Sequence, residues 1–160
     1  MSRTRLAIFA AIALSAAPAF ADGPFRFFPI TPCRVADTRQ PANAPAFTAN
    51  QTRSFNIQGV CGIPANAKAV VLNATIINPS TDGYITLFPS NVAKPVAANL
   101  VYRANEPALA NGAIVALAPT TPDLSVFVFL SAAIPGANAH LALDTTGYFC
   151  KVDGGGACIP

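Results

Sequence analysis

The sequence has no tryptophan, a single histidine and few charged residues. Charged residues make up 11% of the 160 positions. The absence of tryptophan counts against a typical sugar-stacking platform. The lone His140 restricts any Ser-His-Asp or Cys-His arrangement to one position, and no G-x-S-x-G motif is present. These absences argue against a hydrolase.

A hydrophobic run long enough to cross a membrane is also missing. The apolar run at residues 6–17 has 12 residues, whereas a spanning helix needs about 20. Two arginines precede the run, and the small residues Ala19 and Ala21 follow it. This order is typical of a secretory signal peptide. We therefore predict a signal peptide at residues 1–21, cleaved near Ala21, and one exported domain at residues 22–160 with no membrane span.

Basic runs and metal-binding patterns are absent too. Without Arg3 and Arg5 of the leader, eight of the ten basic residues remain against seven acidic ones. With no basic run, nucleic acid is not an expected partner. No C-x-x-C motif occurs, and the acidic residues are scattered. The sequence therefore predicts no metal site and no cofactor.

Four cysteines are present, all in the predicted exported domain. They are Cys33, Cys61, Cys150 and Cys158. An even number of cysteines in an oxidising compartment indicates two disulfides. Three pairings are possible. We favour Cys33–Cys61 with Cys150–Cys158, because each bridge then stays within one end of the chain.

Alternating apolar residues predict two strands at the centre of the chain. In Ala69–Ile77, every second residue from Val70 to Ile76 is apolar and lies on one face. A second strand is predicted at Tyr84–Phe88. The residues between them, 78–83, include Pro, Ser, Asp and Gly, which are typical of a turn. We therefore predict that the two strands pair as a hairpin.

Such a hairpin would bring polar and aromatic side chains together on its outer face. These are Asn73, Thr75, Tyr84, Thr86 and Phe88. Tyr84 and Phe88 offer stacking surfaces, and the other three offer hydrogen bonds. The face is therefore our candidate binding platform for a polysaccharide or a protein of the cell surface. The alternative is that a second sheet or a loop packs over it.

Further strands are predicted along the rest of the chain, at Arg26–Arg39, Ser54–Ile57, Ala97–Tyr102, Gly112–Leu117, Leu124–Leu130 and Ala139–Phe149. The prolines in the first suit a sheet edge. Leu124–Leu130 is apolar on both faces, as expected of a central strand. The fold prediction is all-β: a single β-sandwich, or a partly closed barrel, of about eight short antiparallel strands.

A small polar motif lies near the start of the predicted domain. Arg34, Asp37 and Arg39 are close enough in sequence to form an ion pair or a turn network. Asp144 is expected to fix the backbone near Gly147. Asp37, Glu106 and Asp144 could also form the carboxylate pair of a glycosidase. With so few acidic residues, we prefer the structural interpretation.

Six pieces of the sequence, in this order, resemble a module of secreted and cell-surface bacterial proteins. They are TPCRVADTR at 31–39, CGIP at 61–64, LNAT at 72–75 running on to NP at 78–79, GYITLFP at 83–89, ANGA at 110–113 and LDTTGYF at 143–149. The resemblance implies an extracellular all-β module, often attached to or repeated within larger surface proteins. It brings no established activity and no catalytic residues. This chain departs from it by having one copy, no visible anchor and a tail with Cys150 and Cys158.

These observations together predict a non-catalytic exported protein with a structural, adhesion or protein-interaction role at the bacterial surface or in the extracellular space. A polysaccharide-binding module is the alternative, and a hydrolase comes third. The sequence makes no prediction of oligomeric state.

Overall fold

The computed structural model describes residues 24–131, 134–152 and 158. In this part of the chain, two antiparallel sheets pack on each other as a β-sandwich, which confirms the predicted fold class. The predicted signal peptide and its cleavage site near Ala21 lie outside the described residues.

Nine strands follow one another along the described chain. They are β1 (Phe25–Asp37), β2 (Phe47–Thr48), β3 (Gln51–Phe55), β4 (Ala69–Ile77), β5 (Gly83–Pro89), β6 (Leu100–Tyr102), β7 (Leu109–Ala116), β8 (Leu124–Leu130) and β9 (Asn138–Lys151). A single 3₁₀ turn at Pro41–Asn43 interrupts the loop after β1.

The first sheet has the order β1-β9-β4-β7, with β2 also paired to β9. The second has the order β3-β8-β5-β6. β8 is a central strand and β1 is an edge strand, as their sequences predicted. The predicted hairpin between β4 and β5 is wrong. β4 pairs with β7 and β9, whereas β5 pairs with β6 and β8. The turn at residues 78–83 therefore crosses from one sheet to the other.

The core fills the space between the two sheets. The alternating positions of β4 from Val70 to Ile76 are buried, as predicted, and so are Ile85 and Leu87 of β5. β8 and β9 add Val126, Leu141 and other buried residues to the same cluster. Burial of apolar surface, at about 25 cal/mol per Å², is the main force that holds the two layers together.

Both predicted disulfides are confirmed. Cys33 of β1 is bonded to Cys61 in the loop before β4, across 28 residues of sequence. Cys150 at the end of β9 is bonded to Cys158, across eight residues. No described residue belongs to a helix that could cross a membrane. The two disulfides are compatible with an extracellular location.

Candidate functional site

The structure does not bring the five predicted binding residues onto one face. Asn73 and Thr75 lie on β4 in the first sheet, and Tyr84, Thr86 and Phe88 lie on β5 in the second. The alternation of side chains between the two faces was predicted correctly on each strand, but the predicted pairing between the strands was wrong. The proposed platform therefore divides into two unrelated surfaces.

The outer face of the second sheet is aromatic. Tyr84 is directly opposite Phe129 of β8, and Thr86 is opposite Phe127. The rings of Tyr84 and Phe129 are stacked, with centroids 5.0 Å apart and planes 9° apart. The Phe127 ring lies 5.9 Å from Tyr84 in a tilted arrangement. Facing aromatic pairs of this kind stabilise neighbouring strands.

Part of this face is covered by residues 90–99, which connect β5 to β6. The buried Thr86 hydroxyl donates to the carbonyl of Ala97 at 2.6 Å. The backbone N–H of Leu87 donates to Asn99 Oδ1 at 2.7 Å. Phe88 is also buried. The alternative considered for this face, packing under a loop, therefore holds for Thr86.

The uncovered part is a shallow apolar surface with one cation. Tyr84, Lys94, Val96 and Val101, which we call the valine patch, line a cavity of about 250 Å³ together with Ala97 and Ala98. Val96 is fully exposed, and Val101 is 70% exposed. The Lys94 ammonium lies 4.6 Å from the centroid of the Phe127 ring, a cation–π contact that holds its charge beside the patch.

The polar motif near the start of the domain forms a closed network on β1 and β9. Arg34 donates from Nε and Nη2 to the two carboxylate oxygens of Asp144, at 2.8 and 3.0 Å, and from Nη1 to Asp37 Oδ2 at 3.0 Å. Arg39 donates from Nε and Nη2 to Asp37 at 2.9 and 2.7 Å. The structure thus brings together Arg34, Asp37, Arg39 and Asp144. Asp144 was expected to fix the backbone near Gly147, but its carboxylate binds the Arg34 side chain, and the hydroxyl of Thr145 contacts the Gly147 backbone instead.

The network sets the charge state of Asp37. Hydrogen bonds from Arg39 lower the pKa of this carboxyl well below its ordinary value, against the opposing effect of its burial. The general acid of a glycosidase needs the opposite, a raised pKa. Glu106 precedes β7, at the far edge of the sheet from β1. The arrangement therefore suits a structural network, because its carboxylates are already bound to arginine.

The contact that the structure gives for the His140 side chain is with Thr38. Its Nδ1 lies 3.0 Å from the hydroxyl oxygen of Thr38. The same oxygen accepts a hydrogen bond from the backbone N–H of Leu141. This contact joins β9 to the residue after β1.

Five residues at the site were missed by sequence reasoning: Phe127, Phe129, Lys94, Val96 and Val101. The two phenylalanines alternate along β8 with the buried Val126 and Val128. Because successive side chains of a strand point to opposite faces, the sequence could have indicated that both rings point outward. Lys94 and Val96 lie in an irregular loop, where no periodicity indicates a direction. Among the described residues, no group of three or more His, Cys, Asp or Glu could hold a metal ion.

Comparison with known proteins identifies no family and gives only distant structural similarities. No protein-family model matches the chain, and no curated protein matches it. Among solved structures, it is similar to the coat protein dimer of Tobacco streak virus, with 13% identity, a TM-score of 0.42 and coverage of 76% of this chain and 85% of that one. A C2 crystal form of that coat protein gives 12% identity with the same coverage and TM-score. Neither similarity bears on function.

Proposed function

We propose that this chain is an exported, non-catalytic module that acts through protein contact at the valine patch, in surface structure or adhesion. The proposal includes export by the signal peptide at residues 1–21. The observation that carries it is the chemistry of the exposed part of the second sheet. This surface is largely hydrocarbon, with the Lys94 ammonium and the Tyr84 hydroxyl as its polar side-chain groups, whereas the Thr86 hydroxyl beside it is bonded within the chain.

The same observation separates protein contact from polysaccharide binding. A sugar site needs free hydrogen-bonding groups beside an open aromatic face. Here the Thr86 hydroxyl is buried and bonded to Ala97, and Tyr84 is stacked on Phe129. Asn73 lies in the other sheet. A partner protein, in contrast, needs exposed apolar anchors such as Val96 and Val101.

The charge of the patch indicates the kind of protein surface that fits it. Lys94 is its one charged member, and its ammonium is held beside the apolar surface by Phe127. A matching surface presents an apolar side chain with a carboxylate at its rim. Such rim charges mainly raise the association rate and the specificity of a contact.

Site-specific photocrosslinking in the cells that export the protein tests this function. A photoreactive residue at position 96 is expected to form a discrete adduct with a second protein, and the same residue at exposed position 146 of β9 is the matched control. Tyr84→Ala or Lys94→Glu should reduce the position 96 adduct several-fold. Equal adducts at both positions, or an adduct insensitive to both substitutions, would contradict the proposal.

A glycan array distinguishes the alternative. We expect the exported protein and its Tyr84→Ala variant to show equal, background binding. Glycan binding that Tyr84→Ala abolishes would favour the polysaccharide-binding module.

A further inference from the structure

The two sheets end in four edge strands, and three of them carry features that discourage pairing with another strand. β1 contains Pro29 and two irregularities of register. β3 has five residues and contains Arg53, whose guanidinium donates to the carbonyl of Pro45 beside it. β6 has only three residues. Prolines, bulges, charges and short length are the usual means by which proteins protect sheet edges.

The fourth edge strand, β7, has none of these features. Its eight residues, LANGAIVA, include no charge and no proline. They pair with β4 in one continuous register. Alternate residues of an antiparallel strand direct their N–H and C=O groups away from the partner. In the part of the chain that the structure describes, no strand pairs with β7 on that side.

Gly112 lies in the middle of this open edge, and no contact within the described chain accounts for a glycine there. At Gly83, an added Cβ would lie 2.1 Å from the carbonyl oxygen of Phe129. At Gly147 it would lie 2.3 Å from the Phe27 ring. At Gly112 it would meet nothing within 4 Å, and φ is not positive. A glycine inside a strand weakens that strand, and it often marks a place where another backbone approaches closely.

Ile114 provides an exposed apolar side chain beside Gly112 on the unpaired edge of β7. It points to the same face as Gly112, because the two are separated by two positions. Its side chain is 66% exposed. Its cross-strand neighbour on β4 is Val71, so the apolar surface continues into the sheet.

We propose that β7 is a self-association edge, which pairs antiparallel with β7 of a second copy of this chain about a two-fold axis at Gly112. The two first sheets then form one continuous sheet across the dimer. In this register Ile114 of each copy faces the small Ala110 of the other, and Asn111 faces Ala113. The strand carries no charge, so the two-fold axis brings no like charges together.

This self-complementarity is the reason for choosing a second copy as the occupant. A two-fold interface must match its own surface, so each large side chain needs a small one at the symmetric position. The pairing of Ile114 with Ala110 meets that requirement on both sides of the two-fold axis, which passes through Gly112. A strand from another protein would need no such relation within β7.

Sedimentation equilibrium of the exported protein over a wide concentration range tests the proposal. The weight-average mass should rise with concentration towards twice the monomer mass. Ile114→Lys should hold it at the monomer value, because it adds a charge to the edge. Gly112→Thr should do the same, although threonine suits a strand better than glycine does. Thr52→Lys, at an exposed position of the edge strand β3 in the other sheet, is the matched control, and it should dimerise as the unsubstituted protein does.

Hydrogen exchange of the unsubstituted protein provides a second measurement that needs no variant. Amides of residues 109–116 should become several-fold better protected as the concentration rises, and those of β3 should not change. A monomer at every concentration, or a dimer that both Ile114→Lys and Gly112→Thr leave intact, would overturn the proposal.

Discussion

The β1–β9 end of the first sheet and the outer face of the second sheet use their side chains in opposite ways. At the first, two arginines and two aspartates bind one another, and Cys33–Cys61 ties β1 to a loop. At the second, Val96 and Val101 are left in water beside a stacked aromatic pair.

The two regions differ in whether the interactions of their side chains are made within the chain or left open to other molecules. In the first region, the interactions end within the chain, so their removal should lower the free energy of unfolding. In the second, the exposed hydrocarbon gains nothing from the chain itself. Changes to Val96 or Val101 should therefore affect contacts with other molecules and leave the fold nearly as stable as before.

The largest expected effect is on the disulfide of the first region. The double substitution Cys33→Ala/Cys61→Ala should lower the free energy of unfolding by about 3.5 kcal/mol, because it frees a long loop in the unfolded chain. The matched change, Cys150→Ala/Cys158→Ala, should cost about 2.5 kcal/mol, since its loop is shorter. Urea unfolding of both variants measures the difference. Equal losses would mean that loop length does not determine how much each of the two disulfides stabilises the fold.

A smaller loss is expected from the carboxylate at the centre of the network. Asp37→Asn should lower the free energy of unfolding by about 2 kcal/mol, since it weakens charge-assisted hydrogen bonds from Arg34 and Arg39. The control is Asp82→Asn, at an exposed carboxylate 4.0 Å from the Arg103 guanidinium. It should cost about 0.5 kcal/mol. Similar costs at both positions would remove the distinction between a closed network and a surface pair.

The stabilising contribution of the Asp37 carboxylate should also depend on pH. Its pKa is lowered in the folded protein, whereas an aspartate in the unfolded chain has a pKa of about 3.9. Its stabilising contribution is therefore complete above the unfolded pKa and is lost as the pH falls through the folded pKa. The difference in unfolding free energy between the unsubstituted protein and Asp37→Asn should shrink steadily below about pH 4. A difference that is constant down to pH 2 would show that the ionised carboxylate is not the source.

Sequence patterns predicted the fold class because they depend on local burial. The apolar residues of Ala69–Ile77 alternate with the burial of one face, and Leu124–Leu130 has apolar residues on both faces. Both strands were predicted with the observed bounds. The two disulfides were also predicted correctly. Four cysteines allow only three pairings, and the pairing that keeps each bridge within one end of the chain was preferred.

Strand pairing could not be predicted in the same way. The alternation in β4 and β5 is the same whether the strands form a hairpin or face each other across a core. The deciding interactions are distant in sequence: β4 with β9, and β5 with β8. The binding platform was built on the wrong pairing, so its residues divided between two sheets. The network of Arg34, Asp37, Arg39 and Asp144 did not depend on that pairing, and the structure brings its members together.

A smaller loss than that of Asp37→Asn is expected from the aromatic pair of the second sheet, and it is the sharpest test of the comparison. Tyr84→Ala removes a stacked ring that is only half-buried, so the free energy of unfolding should fall by about 1 kcal/mol. Phe27→Ala is the matched change on the outer side of the first sheet, where Phe27 packs against Phe149 with centroids 5.3 Å apart. It should cost about the same.

The two aromatic variants should differ in their contact with a partner protein and not in their stability. Adduct formation from position 96 should fall several-fold in Tyr84→Ala and remain unchanged in Phe27→Ala, because only Tyr84 lines the valine patch. If both variants lose the adduct, the effect is one of general stability. If neither does, the outer face of the second sheet has no part in contact, and its exposed valines are as inert as any scattered apolar side chain on a protein surface.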